Sequence, residues 1–300
     1  MATVLATRPK ASAHTRNRSR AGMLFAAPTA LVVSVFFVVP LGLLVWMSFN
    51  HWPLIGASRP NGLADYRAVA DPVFTRAITF TLVWTVLSSA VLLVVSLALA
   101  LLVQEARRGV GLFRTLFLLP VAVGMAAATL MFYSLFMDPQ SPLNSTLSAL
   151  GIGPVNWIGS RENVVGSTLL LVTWRFAGFY MLILLTGLQA IPTQLYEAAR
   201  VDGAGALTTF RSVTVPLLRP SLSLTLLLSV TGGLLSFEQF FIMTAGGPDN
   251  STVTLVLAVY RQAFTLFDLG RAAAMSVVLL IVLLGLNTGQ FALMRRDAED

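Results

Sequence analysis

The chain has 300 residues, of which 56% are hydrophobic and only 11% are charged, whereas about a quarter of an ordinary soluble domain is charged. This composition is typical of an integral membrane protein and excludes a compact soluble domain. The formal net charge of +7 in a membrane chain indicates topology rather than nucleic-acid binding, so we expect no nucleic-acid partner.

The N-terminal segment 1–21 is polar and basic and shows no apolar periodicity. We expect a disordered cytoplasmic tail, for which two roles remain open: a signal for topology alone, or contact with anionic lipid headgroups. Cysteine is absent, the two histidines lie in the tail and at a helix end, and the single lysine follows no glycine-rich loop. These features predict no catalytic residue, no metal site and no nucleotide-binding loop in this chain.

Six apolar stretches follow the tail, and each reaches the roughly 20 residues that a membrane-spanning helix needs. They are 22–48, 77–103, 114–137, 165–190, 220–245 and 271–294. The first is too long for the apolar part of a cleaved signal peptide, so we expect it to remain as an anchor. The sequence therefore predicts an all-α integral membrane protein with six transmembrane helices over 22–294, a Pro- and Gly-rich outer cap at 138–164, and a short cytoplasmic tail at 295–300.

The basic residues predict the orientation of these spans. With the N-terminus inside, the inner segments carry 13 of the 20 Lys and Arg residues, the outer segments carry six, and Arg175 lies within a span. Because the inner loops of membrane proteins are enriched in basic residues, we expect both termini on the cytoplasmic side (N-in/C-in).

The inner loop 191–219, between the fourth and fifth spans, is longer than two adjacent antiparallel helices require. Pro192 is placed to begin a helix, and apolar residues recur at helical spacing until Gly203 interrupts them. A second short apolar stripe ends at Pro216, and Pro220 begins the fifth span. The loop is therefore predicted to be a helix-turn-helix.

The first helix of this loop has the composition of a docking element. Ala198 and Ala199 are small enough for another protein to approach the backbone, and Glu197 and Asp202 supply carboxylates for arginine partners. The alternative is an amphipathic helix on the membrane surface, which prefers Lys or Arg above bulky apolar residues. Docking fits these residues better.

The run EAARVDGAGALTTFRSVTVPLLRP resembles the Glu-Ala-Ala loop of permease subunits in binding-protein-dependent ABC importers. The family pattern is met by Glu197, Ala198, Ala199, Gly203, Val213, Val215 and Pro216. The two valines replace the more usual isoleucine and leucine. The stretch SFEQFFIMTAGGPDNST and the sixth span are similar to the carbohydrate and glycerol-3-phosphate branch, the maltose-type permeases.

This resemblance implies a subunit of a heteromeric importer in a bacterial plasma membrane. Its implied partners are a second homologous permease subunit, an ABC ATPase dimer, an extracytoplasmic solute-binding protein and membrane lipids. ATP and magnesium would be bound by the ATPase subunits, so this chain would need no cofactor and would not be an enzyme. The helix containing Glu197 would dock in a cleft of the ATPase, with Asp202 in the same segment, and couple its closure to alternating access for a sugar, polyol or glycerol-phosphate solute.

Ionisable residues inside membrane spans are costly, and Arg175 and Glu238 occupy such predicted positions. At 1.5 Å per residue they lie about 15 and 11 Å from the outer ends of their spans. Two interpretations remain open, a buried interhelical ion pair and contact with the solute.

Aromatic and amide side chains surround these two residues, and such groups can stack against a sugar and hydrogen-bond its hydroxyls. The candidates for the solute path are Arg175, Phe179, Glu238, Gln239 and Phe240. Most of the aromatic residues of this zone, which also includes Trp174, Phe176, Tyr180 and Phe237, are expected only to pack. Gly178 is expected to permit close approach of a neighbouring helix.

The main alternative function is an ATPase-independent secondary transporter, which usually shows several polar positions within its spans or spans broken by Gly or Pro. An intramembrane enzyme would need an acid–base or metal constellation, which the sequence does not supply. A scaffold would leave the structured inner loop without a role.

Overall fold

The protein is built mainly from helices. A computed structural model describes residues 25–53, 55–68, 71–105, 109–136 and 141–299. The predicted tail 1–21 lies outside these residues. The strands within the described ranges are β1 (Asn50–His51) and β2 (Arg59–Pro60), which pair in antiparallel fashion.

The helices of the described ranges run in the following order. They are α1 (Phe25–Met47), α2 (Ala64–Ala68), α3 (Pro72–Val103), α4 (Val110–Ala122), α5 (Met125–Phe136), α6 (Pro142–Ala149), α7 (Arg161–Gln189), α8 (Thr193–Val201), α9 (Ala206–Leu234), α10 (Glu238–Thr244), α11 (Leu255–Tyr260) and α12 (Leu269–Glu299). The last helix continues through 295–299, where a separate tail was predicted.

Five of these helices, α1, α3, α7, α9 and α12, are long and apolar enough to cross a membrane. The helices α4 and α5 meet this criterion only together, and they are bent by 98° at the break between them. The prediction of a membrane-spanning helical protein is confirmed. The third predicted span, 114–137, is therefore not one straight helix, because Val123 adopts an extended conformation (φ −77°, ψ 126°) between the two halves.

The long helices begin earlier than hydropathy predicts because polar residues cap them. Asp71 accepts a hydrogen bond from the backbone N–H of Val73 at 3.0 Å, and Pro72 occupies the first turn. Ser160 likewise accepts from the backbone N–H of Asn163 at 3.2 Å and starts α7. Side-chain capping therefore places the helix starts at 72 and 161 rather than at 77 and 165.

The fifth span differs from the prediction at both ends. It begins at Ala206, so the expected second helix of the inner loop is the first part of α9. A π-turn over Phe210–Thr214, closed by the N–H of Val215 on the carbonyl of Phe210, precedes Pro216. Because proline has no N–H to donate, this wider turn lets the chain stay helical through the proline. Pro220 lies inside α9 instead of opening it.

The helices α3, α4, α7 and α9 pack closely at two glycines. A Cβ added to Gly178 would lie 1.8 Å from the carbonyl oxygen of Phe117 in α4. A Cβ added to Gly233 would lie 2.9 Å from the Cα of Thr85 in α3. Neither position has room for a larger side chain, so the predicted role of Gly178 in close helix approach is confirmed.

Candidate functional site

A cavity of about 540 Å³ lies between α3, α7 and the end of α9. Its polar side chains are Ser88, Ser229, Ser236, Glu238 and Gln239, and its aromatic side chains are Trp84, Phe176, Phe179, Tyr180 and Phe237. This volume and this mixture of apolar walls with a few polar groups are typical of a small-molecule site.

The cavity borders a break in the fifth span. The helix α9 ends at Leu234, and α10 begins only at Glu238. The indole N–H of Trp84 donates to Ser236 Oγ at 2.9 Å, and this buried bond fixes the intervening segment against α3. Glu238 therefore does not lie within a continuous span ending at 245, as predicted, but at the first position of a separate short helix.

Glu238 and Gln239 present their polar groups to the cavity. Gln239 has only 6% of its surface exposed, yet its side chain lines the cavity wall. Within the described part of the chain, neither side chain has a hydrogen-bond partner, and neither forms an ion pair within 4.0 Å. Gln239 is buried without a partner, although buried polar groups are normally paired, whereas Glu238 is exposed, so both side chains are available to bind a solute or water.

Arg175 does not line the cavity. Its Nε donates to the carbonyl oxygen of Val123 at 2.9 Å, and its guanidinium carbon lies 4.5 Å from the ring centroid of Phe176. Val123 sits at the bend between α4 and α5, where its carbonyl accepts no backbone N–H from the described residues. Arg175 thus satisfies a carbonyl that the broken span leaves free, a known requirement for irregular backbone at membrane depth.

The interhelical ion pair between Arg175 and Glu238, one of the two interpretations that the sequence left open, is not formed within 4.0 Å. An ion pair in another part of the chain joins Arg271 and Asp268 at 3.6 Å. The physical reason is that the bend at Val123 supplies an acceptor for the guanidinium, while the break after Leu234 turns Glu238 toward the cavity. Arg175 therefore has a structural partner, but that partner is a backbone carbonyl.

Phe240 lies behind the cavity rather than on its wall. It is fully buried and packs edge-on against Phe80 and Trp84, with ring centroids 5.3 and 5.0 Å away. Trp174 also lies outside the cavity wall, and its ring centroid is 5.3 Å from that of Phe132. Of the five predicted path residues, Phe179, Glu238 and Gln239 line the cavity, and Arg175 and Phe240 support the surrounding structure.

Sequence reasoning missed the small polar residues of the cavity and Trp84. Ser88 lies in α3, and Ser229 lies in α9. The signal was present, because hydroxyl side chains recur within the apolar helix α3 at 81, 85, 88, 89 and 96. The sequence prediction used ionisable, aromatic and amide residues near Arg175 and Glu238, so it did not include the hydroxyl side chains of α3.

The inner loop contains the predicted first helix, α8, followed by a sharp turn. Gly203 has φ +75°, its N–H donates to the carbonyl of Arg200 at 3.1 Å, and the N–H of Ala204 donates to that of Ala199 at 2.9 Å. This pair of bonds is a Schellman motif, which requires a left-handed residue and therefore favours glycine. The turn leaves Glu197, Ala198 and Asp202 exposed.

The helix α8 is tied to the start of α9. The hydroxyl groups of Tyr196 and Thr214 lie 3.3 Å apart, and Thr214 belongs to the π-turn before Pro216. A second cavity of about 370 Å³ lies beside this contact and is lined by both residues as well as by Gln104, Arg200 and Phe210. The hydroxyl contact therefore joins α8 to the start of α9.

Comparison with known proteins identifies the family. Residues 94–296 match the model of the binding-protein-dependent transport system inner membrane component. The arabinooligosaccharides transport system permease protein AraP of Bacillus subtilis (strain 168) is 34% identical over 89% of this chain and 86% of the relative. The trehalose/maltose transport system permease protein MalF of Thermococcus litoralis is 31% identical over 93% of this chain and 96% of the relative. The sn-glycerol-3-phosphate transport system permease protein UgpA of Yersinia enterocolitica is 32% identical over 92% and 94%.

A solved structure shows the same fold. It is a bacterial ABC transporter involved in the import of the acidic polysaccharide alginate, one chain of which superposes with a TM-score of 0.82 at 22% identity. The match covers 95% of this chain and 99% of that chain. Together with the apolar helices and the family match, these relatives show that the chain belongs to the inner membrane components of binding-protein-dependent transport systems, as a multi-pass permease of the carbohydrate and glycerol-phosphate ABC importers.

Proposed function

We propose that this chain and a second homologous permease subunit enclose the path by which a sugar, or a related polyol or glycerol-phosphate solute, crosses the membrane by alternating access. The observation that carries this proposal is the cavity at the break after α9, where Glu238 and Gln239 face an aromatic wall without protein partners in the described residues. Stacking and hydrogen bonding are the interactions that recognise a hydroxylated solute.

The proposed topology has six spans with both termini in the cytoplasm. Counting the bent pair α4 and α5 as one span gives six, and an even number returns the chain to its starting side. The excess of basic residues in the predicted inner segments supports the same orientation. In this arrangement α8 and the following turn lie on the cytoplasmic side.

The proposed coupling element is α8 with its turn, including Glu197, Ala198, Ala199, Asp202 and Gly203, and the start of α9 as far as Pro216. We propose that it docks on an ABC ATPase dimer, which binds and hydrolyses ATP with magnesium. The exposed carboxylates of Glu197 in α8 and Asp202 in the turn support docking, and α9 supplies a continuous connection of 29 residues, about 44 Å, to the cavity. The contact must differ in strength between the two ATPase states, since an equal contact shifts no equilibrium.

An extracytoplasmic solute-binding protein is the remaining proposed partner, consistent with the family to which the chain belongs. The ATPase-independent alternative is not favoured. The third and fifth spans are both broken, as spans of secondary transporters often are. This feature alone does not decide between the two functions. Family membership and the exposed docking helix favour the ATP-driven importer.

The test is to reconstitute the complex in proteoliposomes with Glu197→Ala or Gly203→Val. The valine would strain the backbone because position 203 has φ +75°. We expect normal membrane insertion, with solute uptake and solute-stimulated ATP hydrolysis at least tenfold lower. Glu162→Ala, at the opposite end of α7 from this loop, is the matched control and should behave as the parent protein. Parent-like ATP stimulation in both loop variants would show that the coupling assignment is wrong.

A further inference from the structure

We propose that the second cavity, which lies between α8, the inner end of α3 and the start of α9, is a binding site for a phosphate ester. The ligand carries a phosphate group on an apolar stem, and its source is either the headgroup of an anionic phospholipid or a small free ester. None of the residues lining this cavity lines the one at the break after α9, so the site lies outside the proposed solute path. Only its position at the cytoplasmic membrane surface depends on the proposed topology.

Three helices form this cavity, whose volume of about 370 Å³ is in the range of small-molecule sites. Tyr196 and Arg200 lie one turn apart on α8, and both line it. Gln104, the residue that ends α3, lines it from a second side, and Phe210 and Thr214 line it from the start of α9. Side chains from three separate segments of the chain therefore converge on one space.

Arg200 supplies the positive charge of this cavity. No other lining residue in the described part of the chain is charged, and the nearby carboxylates of Glu197 and Asp202 are not among the lining residues. The guanidinium of Arg200 has no hydrogen-bond or ion-pair partner within the residues that the structure describes. Because a guanidinium presents its N–H groups as a fork that matches the oxygens of phosphate and carboxylate groups, Arg200 favours an anionic ligand.

The neighbouring donors favour a phosphate over a carboxylate. The hydroxyl oxygens of Tyr196 and Thr214 lie 3.3 Å apart, and only one of the two hydroxyls can donate to the other, so one hydrogen is left for a ligand. The amide of Gln104 adds two N–H donors and has no partner among the described residues. Together with Arg200, these groups can bond the three strongly accepting oxygens of a phosphate, whereas a carboxylate has two.

Most of the remaining wall is apolar and lies at a depth where phosphate groups occur. It is formed by Leu101, Ala204, Ala206 and Phe210, and it suits the stem of an ester. The apolar helix α3 ends at Val103, beside this wall, and in the proposed topology such an end marks the headgroup region of the cytoplasmic leaflet. Phospholipid headgroups and free esters of the cytoplasm both reach a cavity at this depth.

A bound phosphate would bridge α8 and α3. Its oxygens can accept hydrogen bonds from Arg200 on α8 and from Gln104 at the end of α3, whose side chains line the same cavity. Ala198 lies about 200° around α8 from both Tyr196 and Arg200 and is exposed, so the ligand would leave this proposed docking face free. The phosphate would thus join the docking helix to the second span while the ATPase is bound.

The test uses the full complex with ADP and magnesium at saturation, so that the nucleotide sites of the ATPase subunits are filled. In the first arm, phenyl phosphate is titrated by equilibrium dialysis against the complex in nanodiscs of phosphatidylcholine. In the second arm, the nanodiscs contain phosphatidylcholine and phosphatidylglycerol in equal parts, and native mass spectrometry counts the phosphatidylglycerol molecules that each complex retains.

Four variants accompany the parent complex. Arg200→Gln removes the charge, Arg200→Lys keeps it, and Ala206→Leu fills the cavity without altering any charge. Arg211→Gln is the matched control, because Arg211 is an exposed arginine of α9 that does not line the cavity.

We expect the parent complex and Arg211→Gln to bind the ligand equally well in at least one arm. Binding of phenyl phosphate identifies a free ester as the ligand, and retained phosphatidylglycerol identifies a lipid headgroup. Arg200→Gln and Ala206→Leu should weaken phenyl phosphate binding by about tenfold or more, or abolish the retention of lipid, because they remove a charged hydrogen bond or the space for the ligand. Arg200→Lys should keep most of the binding, since lysine also binds phosphate.

Three results would overturn the inference: no binding in either arm, binding that Arg200→Gln or Ala206→Leu leaves unchanged, or an equal loss in Arg211→Gln. None of these measurements depends on solute uptake or on ATP hydrolysis. Uptake that is independent of ATP would therefore refute the proposed function without affecting this site.

Discussion

Replacing Arg175 by leucine should weaken the bend in the third span. The change removes a charged donor from the carbonyl of Val123, and hydrogen bonds to charged groups contribute about 1.5–3 kcal/mol. It also removes the stacking of the guanidinium on Phe176, which contributes about 0.5–1 kcal/mol at a partly exposed site. The expected destabilisation is therefore about 2–4 kcal/mol.

Two quantities are measured: the midpoint of thermal melting of the purified complex, and the yield of assembled complex in size-exclusion chromatography. Arg175→Leu should lower the midpoint by several degrees and reduce the yield of assembled complex. Arg76→Leu is the matched control, because Arg76 is an exposed arginine in α3 and should leave both quantities unchanged. Arg175→Lys should recover only part of the loss, since lysine keeps the charge but lacks the planar guanidinium.

The same assay separates this explanation from an interhelical ion pair. If Arg175 mainly satisfies Val123, adding Glu238→Leu to Arg175→Leu should not restore stability, because the carbonyl of Val123 still lacks its donor. A buried ion pair would behave differently, because removing both partners relieves the unpaired charge left by a single change. Full recovery in the double variant would therefore refute the assignment of Arg175 to the bend.

Two further predictions concern packing and orientation. Gly178→Val should abolish assembly, because even a Cβ would lie 1.8 Å from the carbonyl oxygen of Phe117. The control Gly166→Ala should assemble normally, because no atom lies within 4 Å of an added Cβ. The yield of monodisperse complex measures both variants. A cysteine introduced at Thr208 of this cysteine-free chain should resist a membrane-impermeant thiol reagent in intact cells and react after permeabilisation. Labelling in intact cells would contradict the proposed orientation, and normal assembly of Gly178→Val would contradict the close contact of α4 and α7.

The loop around α8 shows how far local sequence signals reach. The pattern from Pro192 to Gly203 predicted a helix and a turn, and the structure contains both, because helical spacing and a left-handed glycine act over a few residues. The same pattern predicted that the second helix of the loop ends at Pro216, whereas the helix continues through this proline. The π-turn at Phe210–Thr214 accommodates the proline, and single-residue propensities do not reveal such a turn.

The breaks that shape the cavity could not be read from the apolar pattern. The run 220–245 has a high average hydropathy despite Gly232, Gly233 and Ser236, so hydropathy predicts one continuous span. The chain leaves the helix there because Ser236 bonds to Trp84, a residue 152 positions earlier, and because Gly233 lies against α3. Long-range contacts of this kind have no signature within a window of neighbouring residues.

The sequence by itself determined the membrane class, the approximate positions of the spans and the family. These properties depend on the cost of burying charge in lipid and on short motifs, both of which are local. Only the tertiary structure decided which polar side chains share a cavity. In that structure Arg175 donates to the carbonyl of Val123, and Glu238 and Gln239 line the cavity. Helix packing and the two breaks set these side-chain directions.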